Sequence, residues 1–322
     1  MRKRGKGSTK GKLISAAVFC LASGIDRPTW ADDGRWLLAQ AGGAAKTSAG
    51  ANSTKAPTSA GGAQPADSQG VRNYALFAIS EGASGGLDAS EILRKYTGLK
   101  AVMEQALGRE VRIVSARNFE LLERGLKEHQ FDFAMARPSD YMARAIRDDA
   151  YSLVVTANPD GMCTIIVPKD SPIKTLADLR GKRLGLPEAV AYMSRFCAAD
   201  LRDNGIDIKK DTKLQYLREQ EVVGYAVETG ILDAGGVASF SGVARDWEKK
   251  GGRILHRSVK QPYFPLIANS SLPRADLEKV RKALVALGDS DNGKDVLKTL
   301  GVQGFAAGDE QRLVKLLSWL GD

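Results

Sequence analysis

The segment from Cys163 to Asp207 constrains the fold more than any other part of the chain. It contains an apolar strand, a polar turn, a short helix, a second strand and a longer helix. This order places the start of a helix beside the end of a strand, which is where open α/β sheets bind small ligands. The segment therefore predicts an α/β fold with a ligand site at its strand ends.

Residues 71–322 continue this alternation of short apolar strands and amphipathic helices, including a helix after Ser241 that should reach about Lys250. The pattern predicts mainly parallel strands in two units of similar size. We expect a discontinuous arrangement, with 71–159 and 260–322 in one lobe and 160–259 in the other. Two lobes joined by two crossings form a hinged cleft suited to closing over a solute.

The first seventy residues have a different composition. Residues 1–12 carry six basic residues and no acid, and an apolar run follows from Leu13 to Ile25. This pattern predicts a signal peptide at 1–31, with cleavage after Ala31 or as late as Ala41. The alternative is a basic, disordered N-terminus with a chance apolar patch. Residues 40–70 are rich in Ala, Gly, Ser and Thr, so we expect a disordered linker.

The charge is divided in the same way. Residues 1–70 hold ten Lys and Arg against four Asp, whereas residues 71–322 hold 37 Lys and Arg against 34 Asp and Glu. The high pI is therefore mainly a property of the leader. Because the remainder has no basic cluster interleaved with aromatic residues, a nucleic-acid partner is not expected.

Three cysteines and two histidines limit the chemistry of the chain. Cys20 would leave with the signal, so Cys163 and Cys197 could form a disulfide in an oxidising compartment or remain two buried thiols. Neither lies beside His129 or His256 in sequence. We therefore expect no metal site, no cofactor and no catalytic residue, and an enzyme is the least favoured class.

Five segments in order and spacing resemble the phosphate, phosphite and phosphonate-type substrate-binding proteins of ABC importers. They are FDFAMARPSDYMARA, DSPIKTLADLRGKRLGLP, LDAGGVASF, QPYFPLIANSSLP and NGKDVLKTLGVQGFAA, and the likeness spans about residues 72–318. The resemblance implies an exported type II periplasmic-binding fold that captures a solute between two lobes. It also implies delivery to a membrane permease without chemistry on the solute.

In this family a run of small hydroxyl residues opens the second-lobe helix and binds the anion. Here Ala189, Val190, Ala191 and Tyr192 occupy that position, so three hydroxyl donors are missing. The helix N-terminus still offers backbone N–H groups. Glu188 adds a negative charge at the same turn, which disfavours an anion there.

The first lobe also departs from the family pattern, which places Gly-Pro-Leu-Ser-Tyr after the third strand. This chain has Arg137 at the strand end, followed by Pro138, Ser139, Asp140 and Tyr141. Arg137 could hold a carboxylate or phosphate through its planar fork. The alternative is a surface arginine paired with Asp140 or with the acid at position 160. Tyr141 could stack on a ligand or belong to the core.

The resemblance adds four further candidates. Ser80 and Glu81 follow the first strand, in the loop that faces the ligand in such folds. Ser239 follows the LDAGGVAS strand; its alternative use, like that of Ser241, is helix capping. Tyr263 lies in the segment QPYFPLIANSSLP, which returns to the first lobe. It could contact the ligand or pack beneath that segment.

The chain is therefore expected to be an exported solute-binding protein of an ABC importer. We expect it to capture a small, phosphonate-like, phosphate-like or organic-acid solute between its two lobes. It should be a monomer in the periplasm. The partners are the solute and, transiently, the ABC permease in the membrane. The alternative is a periplasmic sensor or adaptor with the same fold, which binds a solute or a partner protein without transport.

Overall fold

The computed structural model describes residues 72–81, 88–116, 118–137 and 139–321. The predicted signal peptide and linker lie outside these ranges. Within the described ranges, no helix combines the length and the apolar character needed to cross a membrane.

The first sheet is built from strands at both ends of the described chain. In spatial order its strands are β11, β4, β10, β3, β1 and β2. Their bounds are β1 Tyr74–Ser80, β2 Glu110–Ser115, β3 Phe133–Ala136, β4 Tyr151–Asn158, β10 Leu266–Asn269 and β11 Gly304–Ala306. The central strands β1, β3, β4 and β10 are buried along most of their length, as expected for a sheet with helices on both faces.

The second sheet comes from the uninterrupted middle of the chain. In spatial order its strands are β7, β6, β8, β5 and β9. Their bounds are β5 Cys163–Val167, β6 Arg183–Leu186, β7 Lys213–Tyr216, β8 Ala234–Ala238 and β9 Arg253–Arg257. A disulfide joins Cys163 on β5 to Cys197 on the following long helix, with the Cα atoms 5.2 Å apart.

The helices pack on the two sheets. Those of the first half are α1 Ala89–Leu107, α2 Phe119–Lys127, α3 Ser139–Asp148, α4 Tyr192–Asp203 and α5 Ile208–Asp211. Those of the second half are α6 Gln220–Glu228, α7 Gly242–Asp246, α8 Arg274–Val285, α9 Asp291–Leu300 and α10 Glu310–Leu320. The helix starts follow local capping chemistry: Asp88 forms a capping box with Glu91, and Asn118 accepts a hydrogen bond from the Leu121 amide.

Two predicted features differ in the structure. The helix after Ser241 ends at Asp246 rather than near Lys250, because the chain turns there and passes through Gly251 with φ of +86°.

The strands are not mainly parallel. β1 pairs in parallel with β2 and β3, and β6 pairs in parallel with β7 and β8, but β5, β10 and β11 are antiparallel to every neighbour. These three strands follow the crossings and the C-terminal turn, where the chain enters a sheet in the reverse direction.

The chain passes between the sheets twice. The first passage runs from β4 to β5 and the second from β9 to β10, and the two lie side by side because Gly161 and Gln261 exchange backbone hydrogen bonds of 2.9 Å. Paired crossings of this kind are a hinge geometry, since a few loop residues can absorb the change in backbone angles.

The C-terminal helix α10 makes a further connection. Its start is attached to the first sheet, where the Glu310 carboxylate accepts a hydrogen bond from the Leu153 amide at 2.7 Å. Its end reaches the core of the second sheet, where the Trp319 ring meets the edge of Phe196 at 4.9 Å between centroids. The Trp319 indole N–H also donates to Asp203. Helix α10 therefore links the two sheets independently of the crossings.

Candidate functional site

The carboxyl ends of β1 and β3 bring the first-lobe candidates together. Ser80 ends β1 and pairs with Ala136 at the end of β3. The Arg137 amide, one residue further on, donates to the Ser80 carbonyl at 3.2 Å. Because parallel strands end at the same edge of a sheet, residues 57 positions apart in sequence become neighbours here.

Glu81 is the centre of a buried polar cluster at this edge. Both of its carboxylate oxygens accept from Lys95 Nζ at 2.7 Å, and one accepts from the Tyr96 hydroxyl. Arg137 Nε lies 3.6 Å from the same oxygen. Burial alone would raise the pKa of Glu81, but the positive charges of Arg137 and Lys95 outweigh it and hold that pKa below its usual value. Glu81 is therefore a buried carboxylate that positions two cations.

Arg137 lies between the two lobes. Its Nη2 donates to the Leu300 carbonyl at 3.1 Å, and its guanidinium stacks 4.6 Å from the ring centroid of Phe264. Phe240, which follows β8 of the second sheet, has its ring centroid 5.9 Å from the central carbon of the Arg137 guanidinium. Phe264 is fully buried with φ of +51°, a backbone conformation that bulky residues seldom adopt. The surroundings therefore fix the position of the guanidinium at the junction of the lobes.

The predicted alternative partners of Arg137 are wrong. Asp160 forms its ion pair with Arg312 at 2.6 Å, and Asp140 forms its ion pairs elsewhere. Arg137 instead pairs with Glu81, for which the sequence predicted only a position in the ligand-facing loop. A guanidinium has five N–H donors, so an arginine held by one carboxylate and one carbonyl retains capacity for another acceptor.

Two serine hydroxyls at this edge are fully buried. Ser80 is 1% exposed and Ser139 is 0% exposed; Ser80 Oγ has no hydrogen-bond partner among the described residues, and Ser139 Oγ meets the Tyr192 hydroxyl too loosely for a well-formed hydrogen bond. Ser139 is also the first residue of α3. Buried hydroxyl groups nearly always form hydrogen bonds, so a buried hydroxyl without a well-placed protein partner is suited to hydrogen-bond a bound polar group. Two of them at one strand edge are the strongest local sign of a bound polar group.

An ion pair crosses from α3 to α4 beside these serines. Asp140, whose side chain is 2% exposed, pairs with Arg195 of α4 and lies 3.4 Å from Arg144 on its own helix. Asp140 belongs to the helix that follows the first sheet and Arg195 to the helix that follows β6 of the second. The pair therefore holds the two lobes together.

Tyr141 packs within the first lobe. Its ring lies 5.0 Å from the Phe119 ring centroid, and the Arg144 guanidinium covers it at 4.3 Å. Burial and the neighbouring Asp140 carboxylate raise the pKa of Tyr141. Of the two uses that the sequence left open, these contacts correspond to packing.

The residues at the start of α4 differ in their exposure: some face solvent and one lies at the junction of the lobes. Ala189 and Val190 are exposed, and Ala191 caps α4 without a side-chain hydrogen bond. Tyr192 is buried, lies near Ser139 and donates its hydroxyl proton to the Pro262 carbonyl at 3.1 Å. Burial raises the pKa of Tyr192 well above its usual value. Tyr192 is thus the member of this segment that faces Ser139 of the first lobe.

Ser239 has a structural partner. Its Oγ accepts from the Met162 amide at 3.0 Å, and its own amide donates to the Met162 carbonyl at 2.9 Å. Ser241, not Ser239, caps α7 by accepting from the Ala244 amide at 3.1 Å. Ser239 therefore joins the end of β8 to the first crossing.

The sequence reasoning missed the aromatic contact at the centre of the junction. Phe240 stacks on Tyr263 with the ring centroids 4.1 Å apart and the planes 5° from parallel. Gly161 leaves room for both rings, since a Cβ there would lie 3.2 Å from each. The signal was the position of Phe240 directly after a buried strand, at the same sheet edge as Ser239.

The charged groups at the junction have an excess of positive charge. Two carboxylates, Glu81 and Asp140, face four cations in the two clusters, which are Lys95, Arg137, Arg144 and Arg195. The formal sum is +2. Because the cations of these two clusters outnumber their carboxylates, the clusters favour a bound anion over a bound cation.

Two sheets, paired crossings and a charged junction between them define a two-lobed periplasmic-binding-protein fold of type II. Residues 86–313 match the family described as "ABC transporter, phosphonate, periplasmic substrate-binding protein". The chain belongs to this family, and it is a solute-binding component of an ABC importer. The family is one of binding proteins and not of enzymes, and the resemblance inferred from sequence is confirmed.

Solved structures show the same fold at low sequence identity. XAC2383 from Xanthomonas citri, bound to ATP, has a TM-score of 0.61 and 16% identity over 77% of this chain and 97% of that chain. PhnD1 from Prochlorococcus marinus, in complex with methylphosphonate, has a TM-score of 0.59 and 11% identity over 76% and 96%. A binding protein component of an ABC phosphonate transporter from Pseudomonas aeruginosa has a TM-score of 0.56 and 18% identity over 76% and 85%.

Proposed function

We propose that this protein captures a small anionic solute between two lobes, formed by 71–159 with 260–322 and by 160–259. The observation that carries the proposal is the strand edge of the first lobe, where two buried serine hydroxyls that form no well-made hydrogen bond with the described residues lie beside Arg137. Hydroxyl groups and a guanidinium together form a donor set for an oxyanion. The +2 excess at the junction supports the same ligand charge.

The donor set differs from that expected of a phosphonate site in the second lobe. Ala189, Val190 and Ala191 provide no hydroxyl, and the hydroxyl of Tyr192 is already committed to Pro262. We infer that the first lobe supplies most of the contacts to the anion through Ser80, Ser139 and Arg137. Glu81 has a positioning role, because its carboxylate holds the guanidinium of Arg137 and would repel an anion brought closer to it.

The aromatic pair gives the solute-binding site an apolar side. Phe240 belongs to the second lobe and Tyr263 to the return crossing, so their stack spans the junction. A small organic group next to the anionic end of the solute would contact these rings or Phe264. This arrangement favours an organic anion over an inorganic one.

The cellular setting follows from the family and the N-terminal sequence. We propose that residues 1–31 direct export and are removed, that residues 40–70 form a flexible linker, and that the mature chain is a periplasmic monomer. Closure of the lobes over the solute would create the form that the membrane permease recognises. No chemical step on the solute is part of this function.

The proposal is tested by thermal denaturation of the mature chain with phosphate, phosphite, methylphosphonate, small organic acids and amines. A ligand that binds only the folded state raises the midpoint temperature as its concentration increases. At a ligand concentration of one hundred times Kd, the free energy of unfolding rises by about 2.7 kcal/mol. We expect stabilisation by one or more anions, with organic anions more effective than phosphate.

The matched variants are Arg137→Gln and Arg112→Gln. Arg112 is a half-exposed arginine of the first lobe that pairs with Glu110 and stacks on Tyr74 at the opposite end of β1 from Ser80, so its substitution should leave solute binding unchanged. Arg137→Gln should weaken anion binding at least tenfold, since a hydrogen bond to a charged group contributes about 1.5–3 kcal/mol. Stabilisation by amines alone, or equal anion affinity in both variants, would contradict the proposal.

A further inference from the structure

A second cavity lies on the second lobe, away from the first-lobe strand edge. It has a volume of about 360 Å³, which is within the range of small-molecule sites. It is bordered by the start and outer face of α4, by α5, by the end of β7 and by the end of α10. None of its lining residues comes from β1, β3 or α3. Ala189 and Arg195 adjoin the lobe junction, where Arg195 pairs with Asp140, and the rest of the lining lies away from the cluster around Arg137.

The inner wall of the cavity is apolar. Ala199 is 3% exposed, Ile206 is 1% exposed and Ile208 is 5% exposed, and all three line it. Leu320, at the end of α10, contributes from the opposite side. The Tyr216 ring is 41% exposed and adds an aromatic surface near the opening. Such walls favour an apolar body, because burial gains about 25 cal/mol for each Å² of apolar surface.

The rim of the cavity is mainly basic. Arg195, Arg202 and Lys209 line it together with one acid, Asp207; Arg195 is paired with Asp140 and Arg202 with Asp203, so Lys209 supplies the charge that these pairs do not balance. The Lys209 side chain has no carboxylate partner among the described residues, and it is exposed. Asp207 caps α5 by accepting from the Lys209 and Lys210 amides and pairs with Lys210 Nζ at 3.3 Å, so its charge is already balanced. The charge complementary to this rim is negative.

We propose that this cavity binds a small amphipathic anion, with an apolar or aromatic body against α4 and α5 and a carboxylate or sulfonate at the basic rim. The ligand of this cavity differs from the solute of the cleft. In the cleft, serine hydroxyls donate hydrogen bonds to the anion and the organic group of the solute is small. Because Leu320 closes one side, the site depends on α10 being docked on the second lobe.

The test uses 8-anilino-1-naphthalenesulfonate, a fluorescent aromatic sulfonate, titrated into the folded mature protein. We expect a saturable increase in fluorescence with one probe bound per chain. Octanoate should displace the probe, whereas octylamine at the same concentration should not, because the two share an apolar chain and differ in charge. Displacement by both to the same extent would overturn the assignment of an anion site.

Three variants locate the probe. Ala198→Trp places an indole at the lining of the cavity and should abolish binding in protein that retains its helical circular dichroism. Lys209→Gln changes an exposed side chain, so it keeps the test decisive if the first variant does not fold, and it should weaken binding about tenfold. Lys282→Gln, an exposed lysine of α8, should bind as the unmodified protein does.

The result that would overturn the proposal is probe binding of unchanged affinity in both Ala198→Trp and Lys209→Gln. The cleft ligand is measured separately, by thermal denaturation with the anion panel. Loss of probe binding in these variants with the panel response intact would show two independent sites.

Discussion

Replacing Trp319 by alanine tests whether α10 holds the two lobes together. The substitution removes an edge-to-face ring contact with Phe196, a hydrogen bond to the half-exposed Asp203 carboxylate, and part of the apolar surface packed on the second core. An aromatic pair contributes about 0.5–1.5 kcal/mol, and a hydrogen bond about 0.5–1.5 kcal/mol. With the lost apolar burial, we expect Trp319→Ala to lower the free energy of unfolding by about 2–3 kcal/mol.

The measurement is equilibrium urea denaturation followed by circular dichroism at 222 nm, because tryptophan fluorescence would change with the substitution itself. The matched control is Trp319→Phe, which keeps a ring against Phe196 and loses only the indole N–H. It should cost about 1 kcal/mol. Two separate unfolding transitions in Trp319→Ala would show that the lobes had become uncoupled. A loss below about 0.5 kcal/mol, equal in both variants, would refute the coupling role of α10.

Other predictions concern the cluster, the disulfide and the junction. The pKa of Glu81 is held below its ordinary value of 4.5, so the ionised group stabilises the fold above about pH 4.5 and this contribution is lost as the pH falls further; Glu81→Gln should flatten that acid limb in urea titrations. Replacing both Cys163 and Cys197 by serine should cost about 3–4 kcal/mol for a loop of 34 residues; urea midpoints unchanged from the oxidised protein would contradict this. Tyr192→Phe leaves the Pro262 carbonyl without its donor and should cost about 1 kcal/mol by thermal denaturation, whereas an unchanged midpoint would show that the bond is unimportant. Gly236→Ala should cost about 1–3 kcal/mol in the same assay, because its Cβ would lie 2.5 Å from Leu186 Cδ2, and a stabilised variant would contradict the packing.

Much of the fold was accessible from sequence because local signals agree with it. The side chains of Asp88 and Asn118 cap α1 and α2 through contacts within four residues, and the α/β pattern together with the resemblance led to a type II binding-protein fold, which is confirmed. Strand β11 escaped prediction because Gly304–Ala306 is only three residues long and shows no alternation. Strand direction escaped it as well, since direction is set by the route between sheets and not by side-chain period.

The site was less accessible, because its pairings are long-range. Glu81 and Arg137 are far apart in sequence, as are Asp140 and Arg195, and no local spacing relates the members of either pair. The sequence could place each residue near a strand or helix end, but it could not choose among several acids for one arginine. The cysteine pairing was open for the same reason, since sequence gives no distance between two residues.

The position of β10 has a consequence for the order in which the protein is assembled. This strand lies between β3 and β4 in the first sheet, yet it follows the whole of the second sheet in the chain. A chain that emerges from its N-terminus can complete the second sheet from residues 163–257 while β3 and β4 still have unpaired edges. Those buried, apolar strands are then open to pairing with other chains until Leu266–Asn269 arrives. The first lobe is therefore the part of the molecule that most needs protection during synthesis, although four of its six strands appear first.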